Sequence, residues 1–228
     1  MISLYVMECP SSVSEAQYQL LLGLCSAERR TRAEKYVFQR DREIAVFTEC
    51  FARYCISKVF GFAFSEMTFA RNQYGKPYLV NTKDCYFNIS HSGDYIICGV
   101  SDTPIGVDIE EIRKAPLDVA EYCFSEDENK VLLGKNGKEA DRLFYAFWTL
   151  KESYLKRIGI GLQNLSKCFF SIDSEKGNIH CFIAGKRTEE YIFSLMEKEN
   201  YTMAVCGDGR TKLHEIDGKE FLNALNKI

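Results

Sequence analysis

YFNISHSGDYIICGVSDTPIGVDIEEI occupies residues 86–112 of a 228-residue chain. The runs CYFNIS, YIICGVS and PIGVDIEEI are short, rich in aromatic and β-branched residues and parted by Gly and Pro, which predicts three strands. Ser90, His91 and Gly93 make a small polar turn between the first two, and Asp108 and Glu110 stand two apart near the end of the third. Alternate positions of an extended chain share a face, so both carboxylates project together. Two such acids repel unless a cation sits between them; taken alone, the pair is more simply a solvated strand end.

Before this stretch, ISLYVME opens as a strand, and residues 18–38 and 42–61 read as helical, with Gly61 as the stop. MTFARNQYGKPYLV then predicts two short strands joined by a turn at Tyr74, Gly75, Lys76 and Pro77. After it, a helical pattern begins near Asp118, and a longer one runs from Lys138 to about Arg157 and ends at Gly159. CFFSID, IHCFIAG, EYIFSLMEK and YTMAVCG follow as strands. The order helix then strands therefore occurs twice in a mixed α+β chain, without a residue-level repeat or a Gly/Ser linker, and a soft boundary falls at residues 104–106.

With 46% hydrophobic and 13% aromatic residues the chain buries a core and is not disordered. A formal net charge of -3 argues against a general nucleic-acid binder, although residues 28–43 carry more Arg and Lys than acid. The ten cysteines are scattered without CxxC spacing and read as reduced thiols. The first residues have no basic and apolar leader pattern, and no run approaches the roughly 18 apolar residues of a membrane span. The expectation is a cytoplasmic protein that engages neither membrane nor nucleic acid.

On the helix YAFWTLKESYLK, Tyr145, Trp148, Thr149, Glu152 and Lys156 share one side. Glu152 and Lys156 alone make an i,i+4 surface pair worth about 0.2 to 0.5 kcal/mol. If that helix packs beside the Asp108 strand, Glu152 becomes a third oxygen ligand for Mg²⁺ and Lys156 reaches a phosphate held there. Ser90 and His91, adjacent in an extended segment, point to opposite faces and make a poor nucleophile and base; a phosphate-holding turn suits them better. Lys76, in its Gly and Pro turn beside Tyr74, offers a cation and a ring to a nucleotide, or is an ordinary turn.

GVDIE and FWTLKESYLK resemble the two signature motifs of the 4′-phosphopantetheinyl transferases, in the larger two-lobed class typified by the surfactin-synthetase activator, and YGKP, FNISHSGDY and YTMAVC match further blocks in the same chain order as the family's. The resemblance spans most of the chain. It implies two pseudo-symmetric lobes, each a small, mostly antiparallel sheet packed with helices, at residues 1–105 and 106–228, with the active site between them. It implies a monomer that moves phosphopantetheine from coenzyme A to a serine of an acyl or peptidyl carrier protein and releases 3′,5′-ADP. Asp108, Glu110 and Glu152 then match the Mg²⁺ ligands, with Glu152 helping to take the serine proton and Lys156 neutralising the pyrophosphate. Ser90 and His91 hold phosphates, and Tyr74, Gly75, Lys76 and Pro77 line the adenine end. Arg29 and Arg32 match the basic pair on the 3′-phosphate. A further family arginine falls on Ile44, with Arg42 nearby, so that either Arg42 substitutes for it or coenzyme A is held more weakly, and Lys151 matches the pattern without a stated role. The competing readings are a Mg²⁺-dependent hydrolase of coenzyme A or a nucleotide, and a carrier-binding module without catalysis.

Overall fold

The computed structural model describes residues 1–80, 82–161, 165, 168–173 and 177–227. Strand β1 (Ile2–Glu8) leads to helices α1 (Glu15–Leu24), α2 (Ala27–Ala33) and α3 (Gln39–Phe60), a short pair β2 (Phe69–Arg71) and β3 (Pro77–Leu79), and the hairpin β4 (Tyr86–Ser92) and β5 (Tyr95–Ser101). The order then recurs: β6 (Gly106–Glu111), helices α4 (Leu117–Cys123), α5 (Glu126–Leu133) and α6 (Lys138–Ile158), a small sheet of β7 (Cys168–Ile172), β8 (Ile179–Ile183) and β9 (Lys186–Thr188), and the hairpin β10 (Ile192–Lys198) and β11 (Tyr201–Gly207). In each series the first strand pairs antiparallel with the last, β1 with β5 and β6 with β11. The long helices α3 and α6 both end at a left-handed glycine, Gly61 at φ 76° and Gly159 at φ 73°, where a Cβ would be strained.

Three features differ from the sequence reading. Residues 18–38 are not one helix: Ser26 is extended and its hydroxyl accepts from Arg29 N–H, so it caps a new helix, α2. Ser90 and His91 do not form a turn. They are strand residues of β4 paired with Ile97 and Ile96, and the turn lies at Gly93 and Asp94, where Gly93 takes φ 53° in a two-residue hairpin loop. Finally, β12 (Thr211–Ile216) and α7 (Gly218–Leu225) return to the first series. β12 runs parallel to β1 and completes the sheet order β12-β1-β5-β4, while Phe221, Leu222 and Leu225 enter the core around α3.

Each series has its own core. Phe47, Phe51 and Phe221 centre the first, and Phe144, Phe147 and Leu150 the second. A third core lies between the sheets, where Leu4, Val6 and Ile97 meet Val107, Ile109, Met203 and Val205. Side chains of this kind stabilise by about 1.5 to 3 kcal/mol each when buried, so the two series are joined by a dry interface.

Helix α6 lies on β6 with almost no gap at Gly106. A Cβ there would stand 1.9 Å from Ser153 O and 2.3 Å from Arg157 N. These are backbone atoms of a helix packed on both sides, so neither yields cheaply. Gly106→Ala is expected to destabilise by about 2 kcal/mol, read in urea denaturation; an unchanged midpoint would mean that the helix is free to shift.

Candidate active site

The exposed edges of the two sheets meet along β4 and β6. Every second residue of β4 reaches across: Asn88 Oδ1 accepts from Val107 N at 2.7 Å, Ser90 Oγ donates to Asp108 Oδ1 at 2.8 Å, and Ser92 Oγ donates to Glu110 Oε2 at 2.9 Å and accepts from Glu111 N at 3.1 Å. Alternation on a strand puts 88, 90 and 92 on one face, so this seam follows from the pleat. Helix α6 closes it from the side. Lys156 Nζ contacts Asp108 Oδ1 at 2.5 Å, Ser90 Oγ at 3.0 Å and Glu152 Oε2 at 3.2 Å.

Asp108 and Glu152 thus share Lys156, and Glu110 lies two residues from Asp108 on the same face of β6. Asp108 is 1% exposed and its Oδ2 has no hydrogen-bond partner. Burial lifts the Asp108 carboxyl above its usual range, against the pull of Lys156 and Ser90. Burial and then the Asp108 charge lift Glu110, against Ser92, Lys156 and the Trp148 indole. The same two causes push Glu152 up to about 7. Burial works against the Lys156 ammonium, but Asp108 and Glu152 outweigh it and hold its pKa above the ordinary value. One ammonium thus serves a crowded set of carboxylates whose donor atoms are all hard oxygens. Among the described residues no three His, Cys, Asp or Glu side chains stand as a ready-made metal cluster; here Lys156 supplies the positive charge.

A cleft of about 210 Å³ opens beside this group, lined by Tyr74, Gly75, Lys76 and Pro77 from one side and Glu152, Lys156, Gly159 and Gly161 from the other. The turn before β3 is fastened to the end of α6. Asn72 Nδ2 donates to Gly159 O at 2.9 Å, and Lys76 Nζ donates to Ile105 O at 3.0 Å and Arg157 O at 3.1 Å. Burial and the Arg157 charge bring the Lys76 ammonium down to about 8. Its stem lines the cleft while its charge is spent on two carbonyls, which leaves the exposed Tyr74 ring and the backbone of Gly75 to face a ligand.

Ser90 is held between Asp108 and Lys156, and His91 points to the other side of β4, where it is exposed. Arg29 lines a recess next to the cleft with Thr48, Arg71 and Phe87, and Pro77 and Ile89 border both spaces. Arg32 and Arg42 are exposed on α2 and α3 and line neither; Arg42 Nε donates to Tyr36 O, and Ile44 is buried in the first core. Asn88, Ser92 and Asn72 were not singled out by sequence, although the polar alternation NISHS in an apolar strand is a signal for the first two.

Two family models match the chain: one described as 4′-phosphopantetheinyl transferase, N-terminal, over residues 12–102, and one described as 4′-phosphopantetheinyl transferase superfamily, over residues 104–206. Among curated relatives, 4′-phosphopantetheinyl transferase Sfp of Bacillus subtilis (strain 168) is 30% identical over 85% of this chain and 87% of its own length. The ffp transferase of Bacillus subtilis is 31% identical over the same shares, and the gsp transferase of Aneurinibacillus migulanus is 29% identical over 90% of this chain and 86% of its own.

Proposed function

Because the chain belongs to the 4′-phosphopantetheinyl transferase superfamily, we propose that its cleft binds coenzyme A and transfers the phosphopantetheine arm to a serine of an acyl or peptidyl carrier protein. The observation that carries this reading is the convergence of Tyr74, Gly75, Lys76, Pro77, Glu152 and Lys156 on one cleft beside Asp108. We take the lobe boundary at residues 105 and 106, with β12 and α7 counted with the first lobe because they complete its sheet and core. The enzyme acts as a monomer in the cytoplasm, where its ten free thiols stay reduced.

The residues fit a divalent cation. Asp108, Glu110 and Glu152 present hard oxygens, and the buried Asp108 Oδ2 lacks a partner. Mg²⁺ held by these three would supply charge for a bound pyrophosphate. Lys156, at the same place, neutralises the charge that grows on the leaving phosphate. The carrier serine oxygen forms a bond to the pantetheine-side phosphorus, the bond to the other phosphate oxygen breaks, and 3′,5′-ADP leaves with that oxygen. Glu152 also helps to take the serine proton. Ser90, held beside Lys156, reaches a phosphate oxygen and Arg29, lining the recess, grips the 3′-phosphate, whereas His91 on the other face of β4 and Arg32 and Arg42 outside both spaces take no part in binding.

The test is product release: 3′,5′-ADP should appear from coenzyme A only when an apo carrier protein is added. Release without carrier would instead mark a hydrolase, and binding without release a docking module.

A second expectation concerns pH. A carboxyl whose folded pKa lies above its unfolded value binds more protons when folded, so Glu152 costs stability as pH rises from 4.5 to about 7. In metal-free protein, Glu152→Gln should shrink the stability lost between about pH 5 and about pH 8 by on the order of 2 kcal/mol, measured by denaturation at each pH. An undiminished loss would show that Glu152 is not strained by its neighbours.

A further inference from the structure

Glu49, on α3, is 6% exposed and is met by more donors than any helix surface requires. Its Oε1 accepts from Ser26 N at 2.7 Å, Arg53 Nη2 at 2.9 Å and Arg53 Nε at 3.2 Å. Its Oε2 accepts from Ser26 Oγ at 2.9 Å and lies 3.5 Å from Arg29 Nε. Arg53 also donates to Phe64 O and Met67 O and covers the Phe69 ring, so it is fully engaged and supplies the counter-charge to Glu49. Arg29 is approached only along its Nε edge. That nitrogen is buried and not hydrogen-bonded, and at 3.5 Å the contact is an attraction between charges. Among the described residues, the terminal nitrogens of Arg29 have no partner, and this is the edge that pairs with phosphate oxygens.

We propose that Glu49 is a positioning residue for the 3′-phosphate of coenzyme A: it holds Arg29 by the Nε edge so that the terminal nitrogens face the recess beside the cleft. This rests on the reading that Arg29 binds that phosphate. Two effects of losing the carboxylate oppose each other. Removing a negative charge near Arg29 favours an anion, while freeing the guanidinium costs its orientation. Glu49→Gln also leaves the Arg53 charge without its anion, a gain in positive field that acts without direction, whereas the paired bonds of Arg29 to a phosphate need alignment, so orientation decides.

The experiment compares kcat/KM for coenzyme A and for dephospho-coenzyme A, which lacks only the 3′-phosphate, in wild type, Glu49→Gln, Glu49→Asp and Arg53→Lys. Wild type should prefer coenzyme A. Glu49→Gln should lose about tenfold of that preference, mainly through KM for coenzyme A, with the rate on dephospho-coenzyme A near wild type. Glu49→Asp should lose less. Arg53→Lys should melt at a lower temperature and keep the preference, since it strikes the same network without freeing Arg29. A preference that is kept or increased in Glu49→Gln, or in Glu49→Asp should the first not fold, overturns the inference. No preference in wild type would overturn the reading of Arg29 itself.

Discussion

Asp108→Asn lowers phosphopantetheine transfer by about a thousandfold or more while the melting temperature stays level or rises. The substitution keeps the size of the side chain and an oxygen that can accept from Ser90, and removes only the charge. The charge is poorly served in the free protein: Asp108 is 1% exposed, one oxygen has no partner, and burial dominates the rise of its pKa. A buried charge costs more than a neutral amide at the same place, so neutralising the group relieves the fold even as Lys156 loses one of its two anions. For transfer the balance reverses, because in the proposed reaction the same charge would hold cation and ammonium against the pyrophosphate. Transfer assays and thermal melts on one preparation check both halves. Equal losses of activity and stability would mean that Asp108 is structural.

Lys151→Ala, one residue from Glu152, should destabilise by about 3 to 5 kcal/mol. Lys151 and Glu128 are both 0% exposed at the side chain and pair at 2.9 Å. Lys151 Nζ also donates to Leu165 O and Cys168 O, and Glu128 accepts from Ser125 N and Phe170 N, so the pair ties α5, α6 and β7 into one unit. Truncating the lysine strands a carboxylate with no counter-charge in the second core. Replacing both partners, as in Lys151→Met with Glu128→Gln, should recover most of the loss, because the cost comes from the unpaired charge more than from the missing attraction. Urea denaturation of the single and double variants measures this. A double variant no better than Lys151→Ala would show that packing, not charge, sets the cost.

The parts of the fold that depend on local pattern were legible in the sequence. The long helices end where Gly61 and Gly159 must take positive φ, and Asp108 with Glu110 and Glu152 with Lys156 follow from periods of two and four. What failed depends on partners far along the chain. β12 reads TKLHEI, too polar to be read as a strand from its own pattern, and it pairs as an edge strand only because β1, near the other end of the chain, offers its edge. The polar run at Ser90 and His91 suggests a turn until the pairing with β5 carries the strand on to Ser92. Lys151 points about 100° away from Glu152 around the helix, so its role was invisible without Glu128, and Glu49 looked like any helix acid until Ser26, Arg29 and Arg53 met it.

By the proposed function, this cleft moves phosphopantetheine onto a carrier serine. Intact-mass spectrometry of an apo carrier protein, incubated with coenzyme A, Mg²⁺ and this enzyme, tests it most directly beside an Asp108→Asn control. The account predicts that the carrier gains the mass of one phosphopantetheine with wild type and none with the variant. Carriers left at their apo mass by an enzyme that binds coenzyme A, or modified equally by both proteins, would contradict it.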